Sequence, residues 1–547
     1  RLRTLDSRHQ HRRAHEAAER SRQRAEGRRR AAAWMGIAAA ILLLAISGFA
    51  YQTAQARDRE ALARENAEQR RRQAEALIDF MLGDLRSELQ PLGKLGILDK
   101  VGDQAMEYFA AVPEGDLSDQ ETASYAQALD QIGQVRFALG EMGEAAAAFR
   151  QSLALTRELA ARNPEDPEVL FRLGQSHFWV GYSHWLGNET DAALEQFEAY
   201  RKISEELVES DPESFAWQRE LAYSYSNLGQ VFEEQGRQAE ASRALEANAR
   251  ILEGLSLEAP EDLSLTVSLA NAYAKLGRVA HISGELPRAL LRFEASLALF
   301  EKASVAHPED MELQVSMNKA HFWVGEILFI QGDSPMATKH FQAALAVSRR
   351  LVAHEPDNQE WRMGLAVDLG QCANLLLVQG DLEGAARLIE ESTAVGRALT
   401  RQAGSHPEIR YLEAIGSWMR GRLALRRGQP KSARQDLRSA AEILRQLTRR
   451  SASLRYQLWL VRALEKLGEA HRQTGDSVRA AEVWRQGLPE ARELVAAVSS
   501  PEHLEALIRM LLLDQNRKEA TPLIEKLSGM GYQPLTYSDF LNRYEAR

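Results

Sequence analysis

Apolar and polar residues are arranged along this chain in three ways. Between Arg30 and Arg57 no residue is charged, and the core of that stretch, AAAWMGIAAAILLLAISGFAY at 31–51, is apolar almost throughout. About 20 helical residues cross the hydrocarbon layer of a bilayer, so the run predicts a transmembrane helix over 31–53. Trp34 and Tyr51 stand near its ends, where aromatic rings favour the membrane interface. A secretory signal would have a shorter apolar part, about 7–15 residues, followed by a small-residue cleavage site that is not seen here. The next segment, 54–116, is polar and helical in pattern, starting with ARDREALARENAEQRRRQAEA, which has no Gly or Pro. Within it Ala74, Leu77, Ile78, Met81, Leu82 and Leu85 follow the i, i+3, i+4, i+7 spacing of a buried helical stripe. That stripe is expected to dock on LGILDKVGDQAMEYFAAV, or to form a short coiled coil with a second copy of the chain.

The third arrangement is a repeat. Pro164, Pro212, Pro260, Pro308 and Pro356 are 48 residues apart. A glycine column runs Gly133, Gly181, Gly229, Gly277, Gly325 and Gly421, with Ala373 in the gap. A second column runs Gly140, Asn188, Gly236, Gly284, Gly332, Gly380 and Gly428. Nine residues after each of these lies an apolar residue, Phe149, Phe197, Leu245, Phe293, Phe341, Ile389 and Leu437. An eighth copy, with Gly468, Gly475 and Trp484, is shifted by one. Each unit reads as two helices. In 212–259, Asp211 is the expected N-cap and Pro212 the first helical residue. Gly236 closes the first helix in a left-handed conformation, and RQAEASRALEANARILEGLSLEA forms the second. No alternating strand pattern competes. The array fills 117–499, and 500–547 breaks the period. Its segments PEHLEALIRMLLLD and RKEATPLIEKLSGM read as a shorter helix pair, a polar cap on the open end of the stack.

The segments LGQVFEEQGRQAEASRAL, LGRVAHISGELPRALLRF and VGEILFIQGDSPMATKHF resemble the tetratricopeptide repeat, TPR. The resemblance covers about 117–490. It implies an all-α fold, a right-handed TPR-like superhelical solenoid of about eight 48-residue helix-turn-helix units, here preceded by the membrane helix and the polar helix. The usual TPR period is 34. The extra residues amount to about four helical turns, two on each helix, which keeps the packing faces in register. The resemblance also implies protein or peptide partners bound in a concave groove. An Arg-rich span leading through EALIDFMLGDLRSEL into such repeats further resembles the membrane-proximal end of large bacterial signalling proteins. In those a kinase, STAND-type NTPase, TIR-type or winged-helix module can precede the span. The chain starts at Arg1 rather than Met, so the alternative reading is a sensory or regulatory arm of an enzyme encoded upstream.

One pentapeptide tests the repeat. HFWVG occurs at 177–181 and again at 321–325, which is 144 residues, or three periods, later. His177 and His321 fall in a column with Leu129, Tyr225, Tyr273 and Leu369, and so are expected to be hydrogen-bonded core residues. Phe178 and Phe322 fall in a chemically variable column with Ser226 and Ala274. By the TPR resemblance this column, with those three before and four after it, faces the groove. The groove candidates are therefore Gln175, Phe178, Tyr182, Tyr223, Ser226, Gln230, Asn271, Arg278, Lys319, Phe322, Glu326 and Asn374. Aromatic anchors among polar groups suit a recognition surface. Trp179 and Trp323, in a mostly polar column, are expected half-buried at its edge.

Charge refines the picture. The net charge of −9 argues against general nucleic-acid binding. Residues 1–30 nevertheless hold eleven Arg. Beside a membrane span, such a run sets topology and attracts anionic lipid. Six Arg lie in 16–30 and three in 52–66, which puts the N-terminus in the cytoplasm and the array outside a bacterial inner membrane. Cys372 is the single cysteine, so there is no intrachain disulfide. No P-loop, GxGxxG, HExxH or metal-spaced His/Cys set is present. No catalytic residue, metal or cofactor is assigned.

Overall fold

The computed structural model describes residues 2–82, 98, 100–104, 107, 118–403, 406–451 and 453–545, in two compact units, Arg1–Glu141 and Met142–Arg547. The described residues are helical, with no strand among them.

In the first unit a single helix, α1 (Leu2–Leu82), runs unbroken through the Arg-rich and apolar segments and into the polar one. Among the described residues it is the helix long and apolar enough to cross a membrane. Every side chain from 31 to 55 is exposed, Leu44 and Phe49 among them. The side chains of Ala74, Leu77, Ile78, Met81 and Leu82, all of Leu85, and most of 95–112 lie outside the described residues. Helix α2 (Asp119–Ala138) starts in a capping box. The Ser118 amide donates to Glu121 Oε2 at 2.7 Å, and the Glu121 amide donates back to Ser118 Oγ at 3.4 Å. Near its end Arg136 pairs with Asp103 at 2.8 Å.

The second unit opens with α3 (Met142–Arg162) and continues as helix pairs. These are α4 (Pro167–Leu186) with α5 (Thr190–Ser210), α6 (Phe215–Glu234) with α7 (Gln238–Glu258), and α8 (Leu263–Ile282) with α9 (Leu286–Ala306). Next come α10 (Met311–Ile330) with α11 (Ser334–His354), α12 (Gln359–Gln379) with α13 (Leu382–Ala403), α14 (Pro407–Arg426) with α15 (Pro430–Arg450), and α16 (Leu454–Gln473) with α17 (Ser477–Ala497). Each helix packs on its neighbours in sequence, and successive first helices also touch, as in α12 with α14 and α14 with α16. This is an all-α, TPR-like solenoid of stacked hairpins.

Three local rules hold the period. First, each proline of the 48-residue column starts a turn, not a helix. The Ser214 amide donates to Asp211 O at 3.1 Å, closing a turn with Pro212 at its second position, where the fixed φ of proline fits. Helix α6 therefore begins at Phe215 with Ser214 as its N-cap, Ser214 Oγ accepting from the Trp217 amide at 3.4 Å. This corrects the expected N-cap: Asp211 instead ends α5. Asp166, Asp262, Asp310 and Asn358 cap in the place of Ser214 in the other copies.

Second, the first glycine column marks a close crossing within each pair. A Cβ on Gly229 would lie 2.6 Å from Leu245 Cγ, and one on Gly325 would lie 2.9 Å from Phe341 Cδ1. Third, the second column ends the first helix in the left-handed region, as at Gly380 with φ 90° and, for want of glycine, at Asn188 with φ 61°.

The chain ends in three helices rather than the expected pair: α18 (Pro501–Leu513), α19 (Arg517–Gly529) and α20 (Leu535–Glu545). The first is no polar cap. Leu504, Leu507, Ile508, Met510, Leu511 and Leu512 are all buried, a gross stabilisation on the order of 10 kcal/mol before chain entropy. They pack chiefly against α16, α17 and α19, and this end of the chain also reaches back to earlier units. His281 Nε2 on α8 meets Glu502 Oε1 on α18 at 2.5 Å. The Gln533 amide donates to Ile330 O on α10 at 2.9 Å. Met530 fills the space over Gly284, where a Cβ would lie 2.7 Å from its Sδ.

Candidate functional site

The groove candidates sit on the first helices α4, α6, α8, α10 and α12, and the structure separates them into three groups.

The first is aromatic. On α4, Phe178 stacks on Tyr182 (centroids 5.8 Å apart), and Tyr182 lies 5.6 Å from Trp185. From behind, Phe178 is 6.3 Å from Phe197 and 5.9 Å from Tyr200, both buried. Phe178 and Tyr182 are half-buried, held by a core yet reachable from one side. Tyr223 (36% exposed), Asn271 and Lys319 also reach solvent, on α6, α8 and α10. Phe322 packs more plainly, 5.5 Å from Trp323 and 6.2 Å from Phe341.

The second group joins neighbouring units. Gln175 Nε2 donates to Glu220 at 2.7 Å, and Lys275 Nζ to Ser226 Oγ at 2.6 Å. Arg278 grips Glu233 with two bonds, at 2.6 and 2.7 Å. Gln230 donates to Ser226 O on its own helix at 3.5 Å. Three of the links recur at a spacing of 45 residues, Gln175–Glu220, Glu233–Arg278 and Glu326–Gln371. That is one period less three, so a side chain meets the next first helix almost one turn earlier. Much of the polar variety in these columns thus stitches one unit to the next.

The other members of HFWVG are scaffold. His177 Nδ1 lies 2.9 Å from Gln196 Oε1, and His321 Nδ1 lies 3.1 Å from His340 Nδ1. Burial lowers both imidazole pKa values. Trp179 stacks on Phe149 at 5.2 Å, and Trp323 on Phe293 at 5.4 Å. Each tryptophan therefore lies flat on the second helix of the preceding unit.

The third group, Glu326 and Asn374, lines a chamber of about 190 Å³ between the first helices α10, α12, α14 and α16 and the terminal helices. Sequence reasoning did not select its other charged residues. Arg509 bonds Glu505 at 2.7 Å and Glu465 at 3.3 Å, all three buried. Lys466 bonds Glu465 at 2.9 Å and Glu469 at 3.2 Å. Tyr532 donates to Glu505 at 2.7 Å. Burial alone would raise the Glu465 carboxyl, but Lys466 and Arg509 outweigh it and hold the pKa at about 2. Burial likewise opposes ionisation of Glu502, and His281 overcomes it, again to about 2. Two groups fare worse. Burial raises the Glu326 carboxyl, helped by the nearby charge of Glu502. Burial also pushes Arg422 down to about 10, against the pull of Glu465 and with added repulsion from Arg509 and Arg462. A sequence signal for the chamber did exist: Trp418 and Arg422 continue the groove columns into the seventh copy, and Glu505 and Arg509 stand at i, i+4 within the apolar stretch LEALIRMLLL. Among the described residues no group of three or more His, Cys, Asp or Glu is placed to hold a metal ion.

A tetratricopeptide-repeat family model matches residues 126–158. No curated protein matches the sequence. Among solved structures the chain is similar to the apo form of RapI, with 10% identity, 77% of this chain and 99% of that one covered, and a TM-score of 0.52. It is also similar to yeast Tom70, with 13% identity, 85% and 94% covered, and a TM-score of 0.30. A STAND signal-transduction ATPase with a tetratricopeptide-repeat sensor from Pyrococcus horikoshii shows 13% identity, 73% and 54% coverage, and a TM-score of 0.37. The likeness to RapI is one of fold.

Proposed function

We propose that this TPR-like helical repeat protein is a membrane-anchored interaction scaffold: α1 crosses the bilayer and the array docks a protein or peptide partner. The observation that carries the reading is the half-buried aromatic row on α4, Phe178–Tyr182–Trp185, braced from behind by Phe197 and Tyr200. Rigid aromatic anchors with one open side are what concentrate binding energy at an interface. The exposed polar candidates on the following first helices, Asn271 and Lys319, would orient the partner more than hold it. The exposed apolar run of α1 and the arginines before it support the anchor and a cytoplasmic N-terminus. The partner-facing array then lies outside a bacterial inner membrane.

The test is affinity capture with the full chain in detergent, comparing wild type with a Phe178→Ala, Tyr182→Ala double variant. Loss of one or more specific partners is expected, and an unchanged partner set refutes the surface. Resistance of the full chain to alkaline extraction from membranes tests the anchor.

A further inference from the structure

Among the described residues that line the chamber, Glu326 and Arg422 have no ion-pair partner within 4.0 Å. Arg509, Lys466 and the more distant Arg462 pair with Glu465, Glu469 and Glu505, and Glu502 pairs with His281. Among the described residues, the bonds of Glu326 reduce to one, from Gln371 Nε2 at 3.0 Å. Those of Arg422 reduce to Nη1 donating to Asn374 Oδ1 at 2.6 Å, a weak contact with Met419 sulfur at 4.0 Å, and its guanidinium lying 4.4 Å above the Trp418 ring. The opposite charges that act on them do so from farther off, His281 and Arg462 on Glu326, and Glu465 and Glu469 on Arg422. Buried charges are ordinarily paired.

The two charges are held apart by construction. Glu326, Asn374 and Arg422 occupy one column of the repeat on three successive first helices, α10, α12 and α14. The acid is anchored by Gln371 and the base by Asn374, and both anchors belong to α12. Side chains at i and i+3 have Cβ atoms about 5–6 Å apart. The amides thus tether an acid and a base that line the same cavity. Trp418, Trp459 and Leu425 supply aromatic and apolar wall beside them.

We propose that this chamber binds a small zwitterion of amino-acid size with an apolar side chain, its carboxylate on Arg422 and its ammonium on Glu326. Such a ligand gives each group a direct ion-pair partner at once. A simple anion would leave Glu326 without one, and a simple cation would leave Arg422 without one. Burial disfavours the charged form of each group, which a bound counter-charge would offset. The site is separate from the aromatic row on α4, so its fate does not depend on the partner surface. Tyr532 and Thr536 line the same cavity, so a bound ligand also braces the terminal segment against the solenoid.

The experiment is calorimetry and thermal unfolding of the full chain in detergent at millimolar leucine, phenylalanine and tryptophan, each beside its N-acetyl derivative and its methyl ester. At least one parent amino acid is expected to bind and raise the melting temperature, with both of its blocked forms at least about tenfold weaker. Glu326→Gln is expected to erase the advantage of the parent over the N-acetyl form, and Arg422→Gln its advantage over the ester. If either variant misfolds, Asn374→Ala, which frees the Arg422 anchor, is expected to weaken the parent while leaving helicity intact. Hydrogen exchange in 530–540 should slow with ligand. The proposal is overturned if none of the three parents binds, if blocked forms bind as tightly as parents, or if the folded variants bind as wild type does.

Discussion

Replacing Gly229 by alanine asks whether the glycine column is a packing constraint or a historical accident of the repeat. Alanine is the better helix former, by about 1 kcal/mol in a helix interior. On propensity alone the change should stabilise α6. The new Cβ, however, would lie 2.6 Å from Leu245 Cγ and 2.7 Å from Leu245 Cδ2. Leu245 is fully buried, so its side chain has nowhere to swing. The helices must part, and overpacking of this kind costs about 1–3 kcal/mol. The net expectation is a loss of roughly 1 kcal/mol, taken as the difference of those two terms. Gly254, on the partner helix α7, is the control: a Cβ there meets nothing within 4 Å. Gly254→Ala should gain up to about 1 kcal/mol. The pair of variants thus predicts opposite signs within one helix hairpin. Repeat arrays need not unfold in one step, so the measurement is native-state hydrogen exchange of the α6 and α7 amides together with the melting temperature. A further variant, Gly229→Ala with Leu245→Ala, should cost less than the sum of its parts, because the clash is gone. If Gly229→Ala stabilises the hairpin as Gly254→Ala does, the close-crossing argument fails.

Other expectations are more local. Ser214→Ala should destabilise the start of α6 by about 1 kcal/mol, whereas Asp211→Ala should cost less, read as exchange rates at 215–218. The His281–Glu502 pair should make closure of the terminal helices depend on pH. His281 is raised, chiefly by Glu502 against its burial, so its share of the stability is present at low pH and lost as pH rises through that raised value. Glu502 sits at about 2, so its share is present above the ordinary carboxylate range and lost as pH falls toward 2. Exchange in α18 should therefore be slowest between those limits, with Glu326 and Arg462 as the other charges facing the pair, and Glu502→Gln should flatten the profile. Asp368 presents the reverse case. Burial raises it to about 6, although Ser348 and Asn318 donate to it. Its neutral form is favoured, so stability falls as pH rises from about 4 to 6, and Asp368→Asn should abolish that slope in a thermal melt.

Most of the array was legible because its columns are independent of one another and agree on one spacing. Gly229 and Leu245, sixteen residues apart, meet as their columns suggest, and the substitution of Asn188 for glycine marks the same helix end. What misled at Pro212 was a choice between two uses of proline. It fits the first turn of a helix and the second place of a β-turn equally well, and only the Ser214–Asp211 hydrogen bond decides. The polar groove columns hid their partners for a different reason. Glu233 and Arg278 are 45 apart, not 48, so aligning the copies sets them in different columns. The return of α18 to α8 was not readable at all. It depends on a small rotation per unit summed over many units, and no single residue encodes it.

That return alters how the array should behave as a material. A stack of repeats acts like a one-dimensional chain of springs, frays from either end, and gives way unit by unit under load. Here the last springs are hooked to the middle through His281–Glu502, Ile330–Gln533 and Gly284–Met530. Units α10 to α17 then form a closed loop. A pull on the C-terminus must break the hook first, and only after that can the coils peel away one at a time.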